Sequence, residues 1–315
     1  LIPYRRLCIS PDCRVQFKTE LLGETGFGVF NRLRMSQSLP VISYSVSKNQ
    51  KRSRLDWRRT ACIVTVALAA GCQTNTPERA KLSPTFRVMT FNIHHGEGLD
   101  GNVDLPRIAE VIRRERADLV ALQEVDKGVE RTARRDLPGE LAALTGLTCV
   151  FSNNFHYQGG EYGNAVLSRF PVLSATNSHY QMLRTNEQRG ILQLTLEVHG
   201  RQLVFMNTHI DYRKDDAERL QNVREIQALA EQHAGTPVIL CGDFNSTPGS
   251  PVHQRLKETF DDAWELVSQG PGWTFPAGNP SKRIDFVWVS RTARIVPVEA
   301  LVPVIDASDH RPLVV

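Results

Sequence analysis

Apolar runs alternate with amphipathic segments from residue 86 to residue 315. Where a run is rich in Val, Ile, Leu and Phe, residue types that are favoured in strands, we predict a β-strand. The predicted strands cover residues 86–93, 118–123, 148–151, 164–168, 191–198, 202–209, 238–241, 284–289, 295–302 and 312–315. Gly200 and Arg201 separate two of these strands, which predicts a hairpin at that point.

Three other segments have the pattern of amphipathic helices. The first begins after the capping residue Asp104, and its apolar positions from Leu105 to Ile112 recur at i, i+3, i+4 and i+7. Further helices are predicted over residues 137–145 and 215–233. Because local hairpins are mixed with helical connections, a purely parallel doubly wound sheet is disfavoured. We predict an α/β fold, a four-layer sandwich of two packed mixed β-sheets with helices on the outer faces.

The N-terminal part of the chain has the organisation of an export signal. Five basic residues within 50–60 precede the apolar run 61–70, which is followed by Gly71 and Cys72. The sequence from Ala69 to Cys72 resembles a bacterial lipobox, in which the cysteine is lipidated, although Ala69 stands where Leu is usual. The alternatives are an uncleaved anchor or a buried helix, but this apolar run is shorter than the roughly 20 residues that a bilayer requires.

The chain is therefore predicted to have three parts. Residues 1–72 are an N-terminal extension with a lipoprotein signal peptide, 73–85 form a polar tether, and 86–315 form one folded domain without an internal linker. A lipid on Cys72 would hold the exported protein at a membrane, in the periplasm or on the cell surface. Residues 1–45 carry no functional prediction.

Charge is unevenly distributed along the chain, whose formal net charge is +4. Residues 1–72 hold 12 Lys and Arg against 4 Asp and Glu, whereas the remaining residues hold 26 basic and 30 acidic side chains. This mildly acidic balance lacks the broad basic surface of tight nucleic-acid binders. The 6 Cys are too few for a disulfide scaffold, and Cys149 and Cys241 are predicted to be buried free thiols.

Polar side chains terminate several of the predicted strands. The clusters are Asn92 with His94, Glu124, Asn207 with His209, Asp243 with Asn245, and Asp309 with His310, and Asp285 lies one residue inside another strand. Residues i and i+2 of a strand face the same way, so each pair can address one point at a sheet edge. Turns also favour Asn and Asp, but the clusters taken together indicate a site.

The residue types in these clusters select the chemistry. Oxygen ligands from Glu124, Asn92, Asp243 and Asp309 suit Mg²⁺, with Mn²⁺ or Ca²⁺ as alternatives. The sequence contains neither a P-loop nor a G-x-S-x-G nucleophile elbow. A hard cation together with carboxylates, Asn and His predicts hydrolysis of a phosphate ester by an activated water.

Seven motifs in a fixed order make the interpretation more specific. They are TFNIHHG (90–96), LQEVD (122–126), YGNAVLSRFP (162–171), NTHID (207–211), GDFNSTP (242–248), RIDFVWV (283–289) and SDHRP (308–312). This set resembles the endonuclease/exonuclease/phosphatase superfamily, which includes pancreatic deoxyribonuclease, abasic-site endonucleases, bacterial sphingomyelinases and inositol-polyphosphate phosphatases. The resemblance covers residues 86–315.

The resemblance implies a role for each matched residue. Glu124 is the principal metal ligand, assisted by Asn92 and Asp309. The residues implied in catalysis are Asp243 and Asn245, which orient or activate water and hold the phosphate, His310 and His209 at the scissile phosphate, Asp285 as the hydrogen-bond partner of His310, and Asn164 lining the site. Whether His310 or Asp243 is the general base stays open at this point.

Other residues near the motifs have two interpretations each. Arg189 either contacts phosphate or pairs with an acid. The basic cluster of Arg131, Arg134 and Arg135 either grips an anionic substrate or lies on a solvated surface, which we favour. The loop residues His94, His95, Glu97 and Asp100 are expected to be solvated, and Trp264, Trp273 and Trp288 are expected to serve packing.

The sequence predicts an exported metal-dependent hydrolase, a phosphodiesterase or phosphatase that acts outside the cytoplasm, and a monomer. Its substrate is a phospholipid head group, a sugar or inositol phosphate, or a nucleic acid. An extracellular nuclease of the same fold is the alternative. A non-catalytic surface binding module is disfavoured because all the motif residues are intact.

Overall fold

The computed structural model describes residues 84–292 and 295–315, which lie in one compact unit comprising residues 79–315. The predicted signal segment 1–72 with Cys72, and residues 73–83 of the predicted tether, lie outside the described residues. Within the described ranges, no helix has the length and apolarity that crossing a bilayer requires.

The strands of the described residues alternate with short helices. The strands are β1 (Val88–Asn92), β2 (Leu119–Lys127), β3 (Thr148–Tyr157), β4 (Gly160–Ser168), β5 (Val172–His179), β6 (Gly190–Val198), β7 (Arg201–His209), β8 (Val238–Asp243), β9 (Phe260–Asp262), β10 (Asp285–Ser290) and β11 (Leu313–Val314). The α-helices are α1 (Leu105–Arg114), α2 (Leu137–Thr145), α3 (Ala217–Glu231), α4 (Pro251–Leu256) and α5 (Ala263–Val267). Two single 3₁₀ turns cover His94–Gly96 and Glu130–Thr132.

The strands form two mixed sheets. The first sheet has the order β11-β1-β2-β4-β3 and the second the order β5-β6-β7-β8-β10-β9. Each sheet contains one parallel pair, β1 with β2 and β7 with β8, and its other neighbours are antiparallel. The predicted pair of mixed sheets is therefore confirmed.

Three apolar cores separate the four layers. Ala121, Phe205 and Val287 belong to the core between the two sheets. Helices α1 and α2 pack on the outer face of the first sheet against Phe91, and α3 and α4 pack on the outer face of the second sheet against Trp288. Because burial of apolar area drives folding, one core holds the two sheets together. The other two cores hold the helices on the outer faces of the sheets. The predicted helices on the outer faces are confirmed.

The helices begin at the residues that capping chemistry favours. Asp104 and Asp136 accept hydrogen bonds from the backbone N–H groups of Arg107 and Gly139, three residues further on. Proline follows in the first turn of both helices, where its missing N–H costs nothing. The third predicted helix, 215–233, is present as the slightly shorter α3.

Two strand predictions need correction. The hairpin between β6 and β7 is present, but its turn residues are His199 and Gly200, which both have positive φ. The predicted strand 295–302 is wrong, because this segment is irregular and only Leu301 makes an isolated bridge, to Val314. Pro297 lies in its middle and has no N–H to donate to a ladder.

Strand β5, by contrast, was not predicted at all. Its sequence VLSATNSH is mostly polar, and most of its residues are at least partly exposed. It pairs only with β6, at the edge of the second sheet. An edge strand with one exposed face buries too little apolar area to leave a periodic signal in the sequence.

The inner layer between the sheets changes from apolar to polar along the strands. In β8, Ile239 and Cys241 belong to the inter-sheet core, and the same alternation brings Asp243 to the inner side at the strand end. In β10, Val287 and Val289 belong to that core and Asp285 follows their parity. The polar strand ends therefore meet at one end of the sandwich.

Asn207 connects the two sheets just below this polar end. Its Oδ1 accepts a 2.7 Å hydrogen bond from Gln123 Nε2, and its Nδ2 donates 2.8 Å hydrogen bonds to the carbonyls of Leu122 and Ala165. The side chain is fully buried. Although its position two residues before His209 placed it with the strand-end clusters, its contacts join β7 to β2 and β4.

We predict that Asn207→Ala lowers the free energy of unfolding by about 2–4 kcal/mol, because two buried carbonyls and the Gln123 amide lose their partners. Urea unfolding of the purified protein measures this loss. The exposed Gln202 on the same strand supplies the control, since Gln202→Ala should change stability by less than about 0.5 kcal/mol. Equal effects of the two substitutions would contradict the role assigned to Asn207.

Candidate active site

A cleft of about 350 Å³ opens where the inner layer becomes polar. Six residues expected at the site line it: Glu124, His209, Asp243, Asn245, Asp309 and His310. Asn92 and Asp285 lie fully buried beneath them. Aromatic side chains form much of the remaining lining, namely Phe155, Tyr157, Tyr162, Tyr212 and Phe275.

A β-bulge places Glu124. The register between β2 and β4 shifts between Leu122 and Val125, and Glu124 has a φ of 59°. Leu122 and Val125 both belong to the core on the helix side of the sheet, so Glu124 is the extra residue on its strand. Bulges of this kind re-aim a side chain within a ladder, and the pairing of β2 with β4 here continues to Lys127. The carboxylate therefore faces the cleft instead of following the alternation of β2.

Asp243 is the most enclosed carboxylate that lines the cleft. Its Oδ1 accepts from the Asn245 backbone N–H at 2.9 Å, and its Oδ2 accepts from Asn92 Nδ2 at 3.1 Å. Burial, with Asp285 nearby, raises the pKa of Asp243 to about 7, although His310 and these hydrogen bonds favour its charged form. Such a carboxyl can exchange a proton near neutral pH.

The residue before Asp243 is a glycine for a steric reason. β7 and β8 run parallel, with Thr208 opposite Gly242. A Cβ on Gly242 would lie 2.1 Å from the carbonyl oxygen of Thr208. Only glycine allows this approach of the two backbones, which fixes the distance between the ends of β7 and β8, and with it the separation of His209 and Asp243.

Asn92 joins the two carboxylates. Its Nδ2 donates to Glu124 Oε1 at 2.9 Å as well as to Asp243 Oδ2, and its Oδ1 accepts from the His94 backbone N–H at 3.1 Å. Ser308 Oγ donates to the Asn92 backbone carbonyl at 2.8 Å. The end of β1 is thereby tied to β2, to β8 and to the loop that carries His310.

His310 pairs with Asp285. The distance between His310 Nδ1 and Asp285 Oδ2 is 2.9 Å, and His310 Nε2 lies 3.7 Å from Asp243 Oδ2. Burial alone would lower the pKa of His310, but the carboxylates of Asp285, Asp243 and Asp309 outweigh it and raise the pKa to about 10. His310 is therefore a cation at neutral pH. Its Nδ1 is hydrogen-bonded to Asp285, and its Nε2–H remains on the side of the cleft.

His209 has the opposite electrostatic environment. Burial, together with the positive charges of Arg189 and His310, lowers the pKa of His209 well below its usual value. Arg189 Nη1 lies 3.0 Å from His209 Nδ1, and a guanidinium can only donate. Nδ1 is therefore the acceptor from Arg189, and Nε2 lies 3.0 Å from the Asn245 amide nitrogen and 3.5 Å from Asp243 Oδ2.

The sequence left two interpretations for Arg189, contact with phosphate or pairing with an acid. The structure shows the pairing with an acid, and also a contact with a histidine. Arg189 Nη2 donates to Glu187 Oε2 at 2.8 Å, and its side chain is almost fully buried beside the cleft. The contact with His209 was missed at the sequence level, because 20 residues separate the two positions. No spacing pattern along one strand could have indicated it.

The donor set fits a hard divalent cation. Glu124, Asp243 and Asp309 line one cleft, and the ion-pair partners within 4.0 Å of these three carboxylates are histidines, namely His209, His310 and His94. Among the described residues, no Lys or Arg nitrogen lies within 4.0 Å of these three carboxylates, although Arg189 lines the same cleft. Oxygen ligands of this charge suit Mg²⁺, Mn²⁺ or Ca²⁺. The expectation that acidic groups of this chain can bind a divalent metal therefore holds.

Two clusters of potential ligands are tighter still, but both have internal partners. Ligand atoms of Asp243, Asp285 and His310 lie within 4.8 Å of one another, yet Asp285 and His310 are hydrogen-bonded to each other. In the second cluster, of His253, Asp262 and Glu265, cationic side chains already neutralise the two acids: Arg283 contacts Asp262 at 2.7 Å and Lys257 contacts Glu265 at 2.6 Å.

Some residues singled out in the sequence lie away from the cleft chemistry. Asn164, expected to line the site, is buried, donates to the Gly190 carbonyl at 3.3 Å and is not part of the cleft lining. Arg135 pairs with Glu140, and Asp100 pairs with Arg107. Trp288 is fully buried, in agreement with the packing role expected for it.

Arg131 occupies the rim of the cleft. Its guanidinium makes two 2.8 Å hydrogen bonds to the buried carboxylate of Asp126 and lies over the rings of Tyr157 and Tyr162. The Asp126 carboxylate neutralises its charge, so Arg131 holds the aromatic wall in place. Its side chain is 28% exposed, so Arg131 meets solvent, as favoured from the sequence, and also lines the cleft.

Comparison with known proteins places these observations in a family. The model of the Endonuclease/Exonuclease/phosphatase family matches residues 89–310. Uncharacterized protein YbhP of Escherichia coli K12 is 28% identical over 246 residues, which cover 73% of this chain and 94% of that protein. Nocturnin of Rattus norvegicus is 27% identical over 252 residues, which cover 67% of this chain but only 57% of nocturnin.

A solved structure shows the same fold. The endonuclease/exonuclease/phosphatase from Beutenbergia cavernae superposes with a TM-score of 0.59 at 26% sequence identity. The match covers 73% of this chain and 70% of that one. The two-sheet sandwich described above is therefore the architecture of this set of proteins.

We predict that Asp285→Asn lowers the pKa of His310, because the variant loses the negative charge that favours the imidazolium. In metal-free protein with EDTA, His310 should keep its proton through pH 8 in the wild type and release it roughly 1–3 pH units lower in the variant. NMR titration of the histidine ring signals measures both values. Asp261→Asn, which removes an exposed carboxylate paired with Arg291, is the control. Coincident His310 titrations in the wild type and Asp285→Asn would refute the assignment.

Proposed function

The chain belongs to the endonuclease/exonuclease/phosphatase family of phosphoester hydrolases, and on this premise we propose that it is an exported, metal-dependent enzyme that cleaves a phosphate ester with an activated water. The observation that carries the proposal is the arrangement around Asp243. Its Oδ2 lies within 3.7 Å of Asn92 Nδ2, His209 Nε2 and His310 Nε2, beside the carboxylate of Glu124.

The metal belongs on the Glu124 side of the cleft. We propose that Glu124 holds the cation with Asp309 and Asn92, as the family resemblance implies. Asn92 turns Nδ2 towards Glu124 in this structure, so it would bind the cation only through Oδ1. When bound, the cation would supply positive charge to a phosphate oxygen and to the oxygen that leaves phosphorus. Glu124 lacks a Lys or Arg partner among the described residues, which leaves its charge available for this purpose.

The two histidines would bind the phosphate in different ways. His310 is charged and can donate a strong hydrogen bond from Nε2 to a phosphate oxygen as negative charge develops there. His209 is neutral, and its ring is held at the cleft by Arg189 at Nδ1 and by the Asn245 amide nitrogen at Nε2. Asn245, whose amide lies 3.0 Å from His209 Nε2, adds a further polar contact at the same point.

We propose Asp243 as the general base. His310 holds its proton at neutral pH and so cannot accept one from water, whereas the pKa of Asp243 is raised to about 7. A base is most effective when its pKa lies near the working pH. Asp285 keeps His310 charged, and the two carboxyl groups therefore have different tasks.

The shape of the cleft limits the substrate to the part of a molecule that fits about 350 Å³. The exposed Tyr157 and Tyr212 offer apolar faces at its rim, opposite the charged floor. We propose a phosphodiesterase or phosphatase substrate outside the cytoplasm. The same rings could stack a nucleobase, so the extracellular nuclease is the second candidate.

A substrate panel tests this proposal. Purified protein should hydrolyse one class among sugar phosphates, phospholipid vesicles and plasmid DNA in the presence of Mg²⁺, Mn²⁺ or Ca²⁺, and EDTA should abolish the turnover. We expect Glu124→Gln to lose cation-dependent turnover and cation binding measured by calorimetry, because it removes the principal ligand charge. The fold should persist by circular dichroism.

Glu130→Gln is the matched control, since Glu130 is an exposed glutamate six residues further along the chain. It should retain full activity with the same cation. Full activity of Glu124→Gln, or turnover that is indifferent to EDTA, would refute the metal assignment. Cation binding without turnover of any substrate class would favour the non-catalytic binding module.

The export signal is tested separately. Cys72→Ser removes the thiol that a lipoprotein signal would acylate, so most of the protein should leave the membrane fraction of a bacterial host for the soluble fraction. Cys62→Ser, in the apolar run ten residues earlier, is the control and should leave the distribution unchanged. If Cys72→Ser protein stays in the membrane fraction like the wild type, the lipobox prediction is wrong.

A further inference from the structure

The end of the sandwich opposite the cleft carries an apolar groove. Its floor is the other end of the inner layer, with Val88, Ile239 and Val289, and two exposed valines stand on its wall. Val296 and Val298 are 77% and 76% exposed. The groove has a volume of about 300 Å³. Two exposed aliphatic side chains beside an open groove form a surface that favours an apolar partner.

A basic pocket adjoins this groove. Arg87, Arg116 and Arg169 line it, and it shares Phe86 and Val298 with the groove. The acids on its surface are Asp118, which pairs with Arg169, and Glu299, which lies 3.8 Å from Arg87. Arg116 has no ion-pair partner in the described part of the chain. The three arginines outnumber the two acids, and the exposed Arg116 lies at the edge of an apolar surface, a combination that suits an anionic lipid interface.

The chain enters the domain at this same surface. Pro84 and Thr85, the first described residues, line the groove. Cys72 precedes Pro84 by twelve positions, so a lipid on it would keep the surface within about 40 Å of the bilayer, whatever path the chain takes.

We propose that this end of the domain, formed by the valine groove and the arginine pocket, docks on an anionic phospholipid bilayer. Val296 and Val298 enter the interface, and Arg116 meets a lipid phosphate. The proposal rests on the export and lipidation in the proposed function only for its cellular setting, since the surface itself is part of the domain.

Docking in this orientation determines where the cleft faces. On β8, Ile239 lies at the groove and Asp243 at the cleft, and on β10 Val289 and Asp285 are divided in the same way. The strands therefore run from the membrane surface to the active site. The cleft opens away from the bilayer, so the substrate is a phosphate ester reached from the aqueous side and not a head group of the supporting leaflet.

Vesicle sedimentation with residues 73–315, which carry neither Cys72 nor the basic extension 1–72, tests the surface without the lipid. The protein should bind vesicles of phosphatidylglycerol and phosphatidylethanolamine, bind vesicles of phosphatidylcholine far less, and dissociate as salt is raised. Adding Val296→Ser with Val298→Ser should weaken partitioning roughly tenfold, and Arg116→Gln roughly fivefold. Val304→Ser and Arg224→Gln, exposed residues outside the surface, should bind as the parent does.

The outcomes separate this proposal from the proposed function. Absence of binding to the anionic vesicles, or equal binding by all variants, would overturn the docking surface whether or not the enzyme is active. If the Val296 and Val298 substitutions instead convert a dimer to a monomer in ultracentrifugation, the surface is an interface between copies and the proposal is wrong. Turnover of a soluble substrate should be unchanged on vesicles, and its loss there would overturn the orientation.

Discussion

The buried carboxylate of Asp243 is the charge around which this structure is organised. A carboxylate inside a sandwich is costly unless donors surround it, and here the donors come from β1, from β7 and from the loops after β8 and β10. Asn92 also holds Glu124, Ser308 ties Asn92 to the loop of His310, and the absence of a Cβ at Gly242 lets β7 approach. Satisfying one buried acid thus fixes the relative positions of both sheets at this end.

The two histidines beside Asp243 differ in charge because of the residues on their far sides. Both rings lie within 3.7 Å of Asp243 Oδ2. His310 has Asp285 behind it and stays charged, whereas His209 has Arg189 behind it and stays neutral. The partner behind each ring decides its charge, and with it whether the ring offers a phosphate a cation or a neutral imidazole. Neighbouring groups whose pKa values are shifted in opposite directions are typical of sites that move protons.

Strand ends and their polar residues could be predicted from the sequence, because alternation of period two and the abrupt stop at Asn, Asp or His are local signals. The orientation of Glu124 could not, since it depends on a bulge set by the pairing of β2 with β4. Nor could the contact of Arg189 with His209 or the bridging role of Asn207, which depend on partners in other strands. The false strand 295–302 and the missed β5 share one cause. Apolar content reports burial and not ladder pairing, so an irregular Val-rich segment resembles a strand and a polar edge strand does not.

The alternation that builds the active site also produces the surface at the opposite end. Inner-facing positions on β8 and β10 are apolar at Ile239 and Val289 and acidic at Asp243 and Asp285, on the same strands. A layer with one polar and one apolar end must leave its apolar end either capped or in contact with something else. Here the irregular segment that carries Val296 and Val298 lines that end without closing it, and the chain enters at its rim. The inner layer therefore has two different ends. The active-site cleft lies at its polar end, and the N-terminal segment joins the domain at its apolar end.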